Sequence, residues 1–143
     1  MLIQQISVFI ENQPGRLTEV VDVLANSQVD ITALSLADTS DFGILRLIVD
    51  KPEVARAALR EGGFIVKATE VLAVAMNDAP GGLASVLHTV TDAGITIEYM
   101  YAFVGKREGK AVVVMRVDQL DAAIAALRND ARTLVSARDI YNV

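Results

Sequence analysis

The strongest constraint in this sequence is an internal repeat. Ile6, Val8 and Ile10 alternate with Ser7, Phe9 and Glu11, and the run breaks at Asn12-Gln13-Pro14-Gly15. At an offset of 66 residues, Leu72, Val74 and Met76 alternate with Ala73, Ala75 and Asn77 and break at Asp78-Ala79-Pro80-Gly81. The same offset carries Leu17, Val20, Val21 and Leu24 onto Leu83, Val86, Leu87 and Val90. Both sets have the 0, 3, 4, 7 spacing of an amphipathic helix. Val29-Asp30-Ile31 then falls on Ile95-Thr96-Ile97, and after two extra residues Ile44 to Asp50 falls on Val112 to Asp118. No chance periodicity survives a strand, a turn, a helix and a second strand in register, so the chain is a duplication.

Each copy reads strand, helix, strand, strand, helix, strand. In the first, the strands are expected at roughly 3–11, 31–38, 43–50 and 64–70, with helices near 15–27 and 52–61. In the second, strands are expected at roughly 71–77, 96–104, 110–118 and 134–141, with helices near 81–93 and 119–129. Asp50 and Asp118 are placed to accept hydrogen bonds from the N–H groups that open the second helices, with Pro52 in a first turn. The domains are 1–70 and 71–143, with no Pro- or Ser-rich linker between them. The order βαββαβ specifies an α+β fold of two ferredoxin-like repeats side by side, each with both helices on one sheet face.

Composition sharpens that picture. Of 143 residues, 52% are hydrophobic but only 5% aromatic, and the mean hydropathy is +0.40. The strands Ile44-Leu45-Arg46-Leu47-Ile48-Val49 and Val112-Val113-Val114-Met115 put apolar side chains on both faces. The helix-free face therefore needs a cover, from the other repeat or from another chain, and a homodimer is expected. A net charge of −5 argues against a nucleic-acid partner, as does the lack of an aromatic platform on the central strands. No uncharged apolar run approaches a membrane span, and Met1 to Ile10 lacks a basic leader segment. The expected location is cytoplasmic.

Enzyme chemistry finds little to work with. The chain has no Cys and one His, which excludes thiolate chemistry and any histidine metal cluster. His88 flanks a helical stripe, where an exposed helix position is the ordinary reading. There is no Gly-x-Ser-x-Gly elbow, Walker loop or dinucleotide-binding glycine pattern. Lys106, Arg107 and Lys110 form a basic cluster in a hairpin turn, a solvated surface by default. An acylphosphatase-like role for Arg16 is opposed by its repeat counterpart, Gly82. No catalytic residue, metal or cofactor is expected.

The repeated loop itself remains. Pro14-Gly15 and Pro80-Gly81 each lead into a helix start, where unpaired N–H groups suit a small carboxylate. Asn12 or Asp78 stands two residues before the Pro, and an acid there suits an ammonium group. The same spacing also describes a plain strand-to-helix turn.

The pattern N-x-P-G-x-L, followed by a stretch such as Val29-Asp30-Ile31, resembles that of the ACT domain family. Glu11-Asn12-Gln13-Pro14-Gly15-Arg16-Leu17 carries it closely, and Asp78-Ala79-Pro80-Gly81-Gly82-Leu83 carries it with Asp for Asn and Gly for the residue after Gly81. Gly43-Ile44-Leu45-Arg46 and Ile97-Glu98-Tyr99-Met100-Tyr101 resemble bacterial proteins made of two ACT domains. The resemblance implies a non-enzymatic regulatory protein of amino-acid metabolism, whose domains pair through their second strands into an eight-stranded antiparallel sheet. It also implies an amino acid bound at the seam between the domains. One site would use Asn12, Pro14, Gly15, Arg16 and Leu17, facing Thr96, Ile97 and Glu98, with Tyr99 and Tyr101 nearby. The other would use Asp78, Pro80, Gly81, Gly82 and Leu83, facing Asp30, Ile31 and Thr32. An amino-acid biosynthetic enzyme is the implied macromolecular partner. The alternative is a structural subunit that docks on a metabolic enzyme through its apolar sheet face and binds no ligand itself.

Overall fold

The computed structural model describes residues 2–38, 41–105 and 109–141. Lys106 and Arg107 of the predicted basic cluster lie outside the described residues. Two compact units emerge: residues 4–69 with 140–141, and residues 70–139 with 2–3.

The first unit contains β1 (Ile3–Glu11), α1 (Arg16–Asn26), β2 (Ile31–Asp38), β3 (Phe42–Val49) and α2 (Pro52–Glu61), and β4 (Ile65–Asn77) begins in it. Its strands run in the order β2-β3-β1-β4. Ile6, Val8, Ile10, Leu45, Leu47 and Val49 point to one face and build a core with Val20 and Leu24 of α1 and Ala55 and Leu59 of α2. Of the expected helical stripe, Val20 and Leu24 are buried, while Val21 stays exposed.

The second unit takes the rest of β4, then α3 (Gly82–Asp92), β5 (Ile97–Ala102), β6 (Lys110–Val117), α4 (Leu120–Asn129) and β7 (Thr133–Leu134), followed by α5 (Ala137–Tyr141). Its order is β5-β6-β4, with β7 on β4. Leu72, Val74 and Met76 join Val86, Val90, Met115, Ala123 and Leu127 in its core.

Several expectations need correction. The strands expected at 64–70 and 71–77 form one 13-residue strand, because nothing from Thr69 to Val71 supplies a turn residue. The described residues therefore hold seven strands rather than the expected eight, and the second strands β2 and β5 each end the strand order instead of pairing as expected. The strand expected at 134–141 shrinks to two residues and gives way to α5. The reason is a reciprocal cap: the Asp139 N–H donates to Ser136 Oγ at 3.2 Å, and the Ser136 N–H donates to Asp139 Oδ2 at 3.3 Å.

The helix-free face is not bare either. Ile3, Gln5, Ser7, Ala33 and Ile48 are buried within the single chain, as are Val71, Ala73, Val112 and Val114. The buried Gln5 Nε2 donates to Ser7 Oγ at 3.2 Å, which offsets part of the cost of desolvating both. Phe9 and Ile65, which alternate with the core residues Ile10 and Val66, stay exposed, so the expected bare apolar face is reduced rather than complete.

Candidate functional site

Both predicted loops fold alike. Gly15 (φ 88°, ψ −12°) and Gly81 (φ 88°, ψ −10°) occupy the left-handed region and open α1 and α3 without a side-chain cap. Only glycine takes that conformation cheaply. The Glu19 and Ser85 N–H groups donate to the Gly15 and Gly81 carbonyls, each at 3.0 Å. The Arg16 N–H turns back to the Gln13 carbonyl and the Gly82 N–H to the Ala79 carbonyl. The first helical N–H of each loop is thereby spent within the turn. Leu17 and Thr18, like Leu83 and Ala84, have N–H groups with no backbone acceptor among the described residues. The Asn12 N–H donates to the Asp41 carbonyl and the Asp78 N–H to the Gly109 carbonyl, tying each loop to its hairpin. Asn12, Pro14, Asp78 and Pro80 are all exposed.

The second-strand starts are equally matched. Pairing of β2 with β3 shifts register between Ile31 and Ala33, and pairing of β5 with β6 shifts between Ile97 and Tyr99. Thr32 and Glu98 are therefore the extra residues of two equivalent bulges, a device that re-aims a side chain. Asp50 and Asp118 serve these starts rather than the helices. Asp50 Oδ1 accepts from the Asp30 N–H at 2.9 Å, and Asp118 Oδ1 from the Thr96 N–H at 3.0 Å. Lys51 and Gln119 hold the N-cap positions of α2 and α4, without side-chain caps. Glu98 pairs with Arg116 at 3.4 Å. Tyr99 and Tyr101 are half-buried and stand opposite Arg116 and Val114 in the ladder.

Within one unit the loop and the strand start are not brought together. Glu11 pairs with Phe42 at one end of the first sheet, whereas Ile31 pairs with Val49 at the other. Asn77 with Lys110 and Ile97 with Val117 repeat that separation in the second.

Sequence reasoning missed what stands beside each loop. In the first unit the Arg16 guanidinium lies 4.9 Å from the centre of the Phe64 ring, with its Nη1 2.6 Å from Glu19 Oε2. In the second, glycine replaces that arginine for a steric reason: a Cβ at Gly82 would stand 2.1 Å from the Asn77 carbonyl oxygen. The guanidinium comes instead from Arg132, the repeat equivalent of Phe64. Its Nη2 donates to Ser85 Oγ at 2.5 Å and to the Ser85 carbonyl at 3.2 Å. Its Nε lies 3.3 Å from Asp130 Oδ2. Thr89 Oγ1 also donates to Asp130, and this bond, with the nearby Arg132 charge, holds the carboxyl below its ordinary range. Aligning 64 with 132 in the repeat would have exposed this exchange.

No group of His, Cys, Asp or Glu among the described residues could hold a metal. No described helix is long and apolar enough to cross a membrane. His88 is exposed on α3.

Known proteins share the fold. The chain is 40% identical to a crystallised protein from Bacteroides thetaiotaomicron, covering 100% of this chain and 98% of that one, with a TM-score of 0.93. The regulatory subunit of aspartate kinase from Thermus thermophilus, in its ligand-free form, shares the fold at 20% identity and a TM-score of 0.63, covering 90% of this chain and 93% of that one. The corresponding subunit from Thermus flavus gives 18% and 0.59, over 90% of this chain and 93% of that one. No curated protein sequence matches the chain. The profile of the ACT domain pair spans residues 1–143, and with both loops and both bulges duplicated, the chain belongs to that family.

Proposed function

We propose that this is a non-enzymatic regulatory protein that binds a small amino acid where the strand–helix loop of one ACT domain meets the second strand of another, the seam between ACT domains. The observation that carries the reading is the double occurrence of one geometry inside one chain. Two loops open with the same left-handed glycine, and two second strands carry the same bulge. Because loop and bulge lie at opposite ends of their own sheet, each site needs a strand from a different domain. The ligand carboxylate would rest on the open N–H groups of Leu17 and Thr18, or of Leu83 and Ala84, with Asn12 or Asp78 beside it. Thr96, Ile97 and Glu98 would face the first loop, and Asp30, Ile31 and Thr32 the second.

Two further points support the reading. Aspartate kinase regulatory subunits share the fold, which suggests an amino-acid biosynthetic enzyme as partner. Leu34 and Leu36 are exposed on β2, which ends its strand order, so a homodimer covering that edge is expected.

Equilibrium dialysis against the twenty amino acids tests the function. Saturable binding of one or a few is expected, weakened in Asn12→Ala by roughly 1–3 kcal/mol. Light scattering tests the dimer. No binding of any amino acid would overturn the functional reading.

A further inference from the structure

Two concave surfaces of the molecule are related by the repeat. A cavity of about 410 Å³ in the second unit lies between the end of β4, the start of α3 and the residues leading into β7. A cavity of about 140 Å³ in the first unit is its repeat equivalent. The two have diverged in one consistent direction. Phe9, Arg16, Phe42 and Phe64 line the small cavity, and Ala75, Gly82, Lys110 and Arg132 stand at the matching positions of the large one. Glu11 becomes Asn77, and Glu19 becomes Ser85. One lining acid is lost, and one lining cation, Arg16, gives way to two, Lys110 and Arg132, so no acid lines the larger of the two cavities in a chain whose net charge is −5.

Lys110 is held by a neutral group, and Arg132 keeps one face of its guanidinium free of the carboxylate that pairs with it. Lys110 Nζ donates to the neutral Asn77 Oδ1 at 2.6 Å. The bonds of Arg132 run through Nε and Nη2, so Nη1 has no protein acceptor among the described residues. Its one carboxylate partner, Asp130, lies outside the cavity lining. The volume lies within the range of small-molecule sites. A guanidinium and an ammonium in one concavity suit an oxyanion, the first by its planar fork and the second as a point charge.

We infer that the second unit carries a binding site of its own for a small molecule bearing a carboxylate or phosphate group, with Arg132 and Lys110 as its anion-recognising residues. The site goes beyond the amino-acid reading. Asn12, Asp78, Thr96 and Glu98 do not line it, and it shares with the proposed loop site only Pro80, Gly81 and Gly82.

Titrating the full chain with inorganic phosphate and, separately, with succinate tests the inference by calorimetry and amide chemical shifts. One saturable site per chain is expected for at least one of them, with shifts centred on Gly81, Gly82 and Arg132. The tighter probe identifies the headgroup. Arg132→Gln should weaken binding at least tenfold. Lys110→Phe, which installs the first-unit residue at an exposed position, should do the same without disturbing the fold. Thr32→Val, which would impair the amino-acid site at the second loop and does not line this cavity, should leave it unchanged, which separates this site from the amino-acid site. The inference is overturned if neither probe saturates, if uncharged succinamide binds as well as succinate, or if Lys110→Phe and Arg132→Gln both bind normally.

Discussion

The two strand–helix loops share a backbone and differ in everything that surrounds it. In the first, an arginine on the helix stacks on a phenylalanine leading into β4 and pairs with Glu19. In the second, the helix position is glycine and the arginine stands where that phenylalanine was. One copy thereby closes its concavity with aromatic packing, and the other opens a polar, cationic one. The backbone of a repeat is held by a few φ values while its side chains are free to change role. Matching loop geometry does not imply matching ligands.

The largest expected asymmetry lies at the exchanged pair. Phe64 is buried, so Phe64→Ala should cost about 3–5 kcal/mol in denaturant unfolding. Arg132→Ala should cost only about 1 kcal/mol, because its hydrogen bonds are part-exposed and water replaces them. Equal losses would break the contrast.

The helix partners should show the reverse. Gly82→Ala drives a Cβ against the Asn77 carbonyl and should destabilise by about 2–3 kcal/mol. Arg16→Ala removes a stacked, partly solvated charge pair and should cost about 1 kcal/mol. Thermal unfolding of the two variants side by side checks the ordering.

Where the copies agree, the effects should agree. Both Gly15 and Gly81 have φ of +88°, and a Cβ added at either would meet nothing within 4 Å. Replacement of either by Val should therefore cost a similar amount, about 1–2 kcal/mol of backbone strain. Such variants are not neutral probes of ligand binding, and their stability has to be measured beside their affinity.

The smallest effect is one of pH and belongs to the second unit alone. The Asp130 carboxyl is held below its ordinary range by the Thr89 hydroxyl and the Arg132 guanidinium. A lowered acid contributes its stability above the unfolded value and loses it as pH falls through the folded one. Wild type should therefore lose a small margin over Asp130→Asn as pH falls below the ordinary aspartate range, measured by urea midpoints. A margin that grows on acidification would reverse the assignment.

Much of this was legible in the sequence. Alternation in Ile6 to Ile10 and the stripe at Val20 and Leu24 specify strand and helix because burial has those periods. The Pro-Gly pairs locate both helix starts because the left-handed turn demands glycine. Other features were hidden for physical reasons. Asp50 precedes a helix and looks like its cap, but its carboxylate accepts from Asp30, a residue distant in sequence. Ser136 and Asp139 carry a short capping signal that the apolar Leu134 and Val135 mask. The bulges at Thr32 and Glu98 arise from register with a neighbouring strand, which no local pattern encodes.

The compact units do not respect the order of the repeat. Residues 140–141 belong to the unit built from residues 4–69, and residues 2–3 to the unit built from 70–139. Ile140 is 1% exposed. On the ribosome, the first half of the chain therefore emerges with its unit still lacking a segment encoded after the whole of the second unit. Its final packing waits for the second half to be translated, and a gene cut between codons 69 and 70 yields two incomplete products instead of two domains.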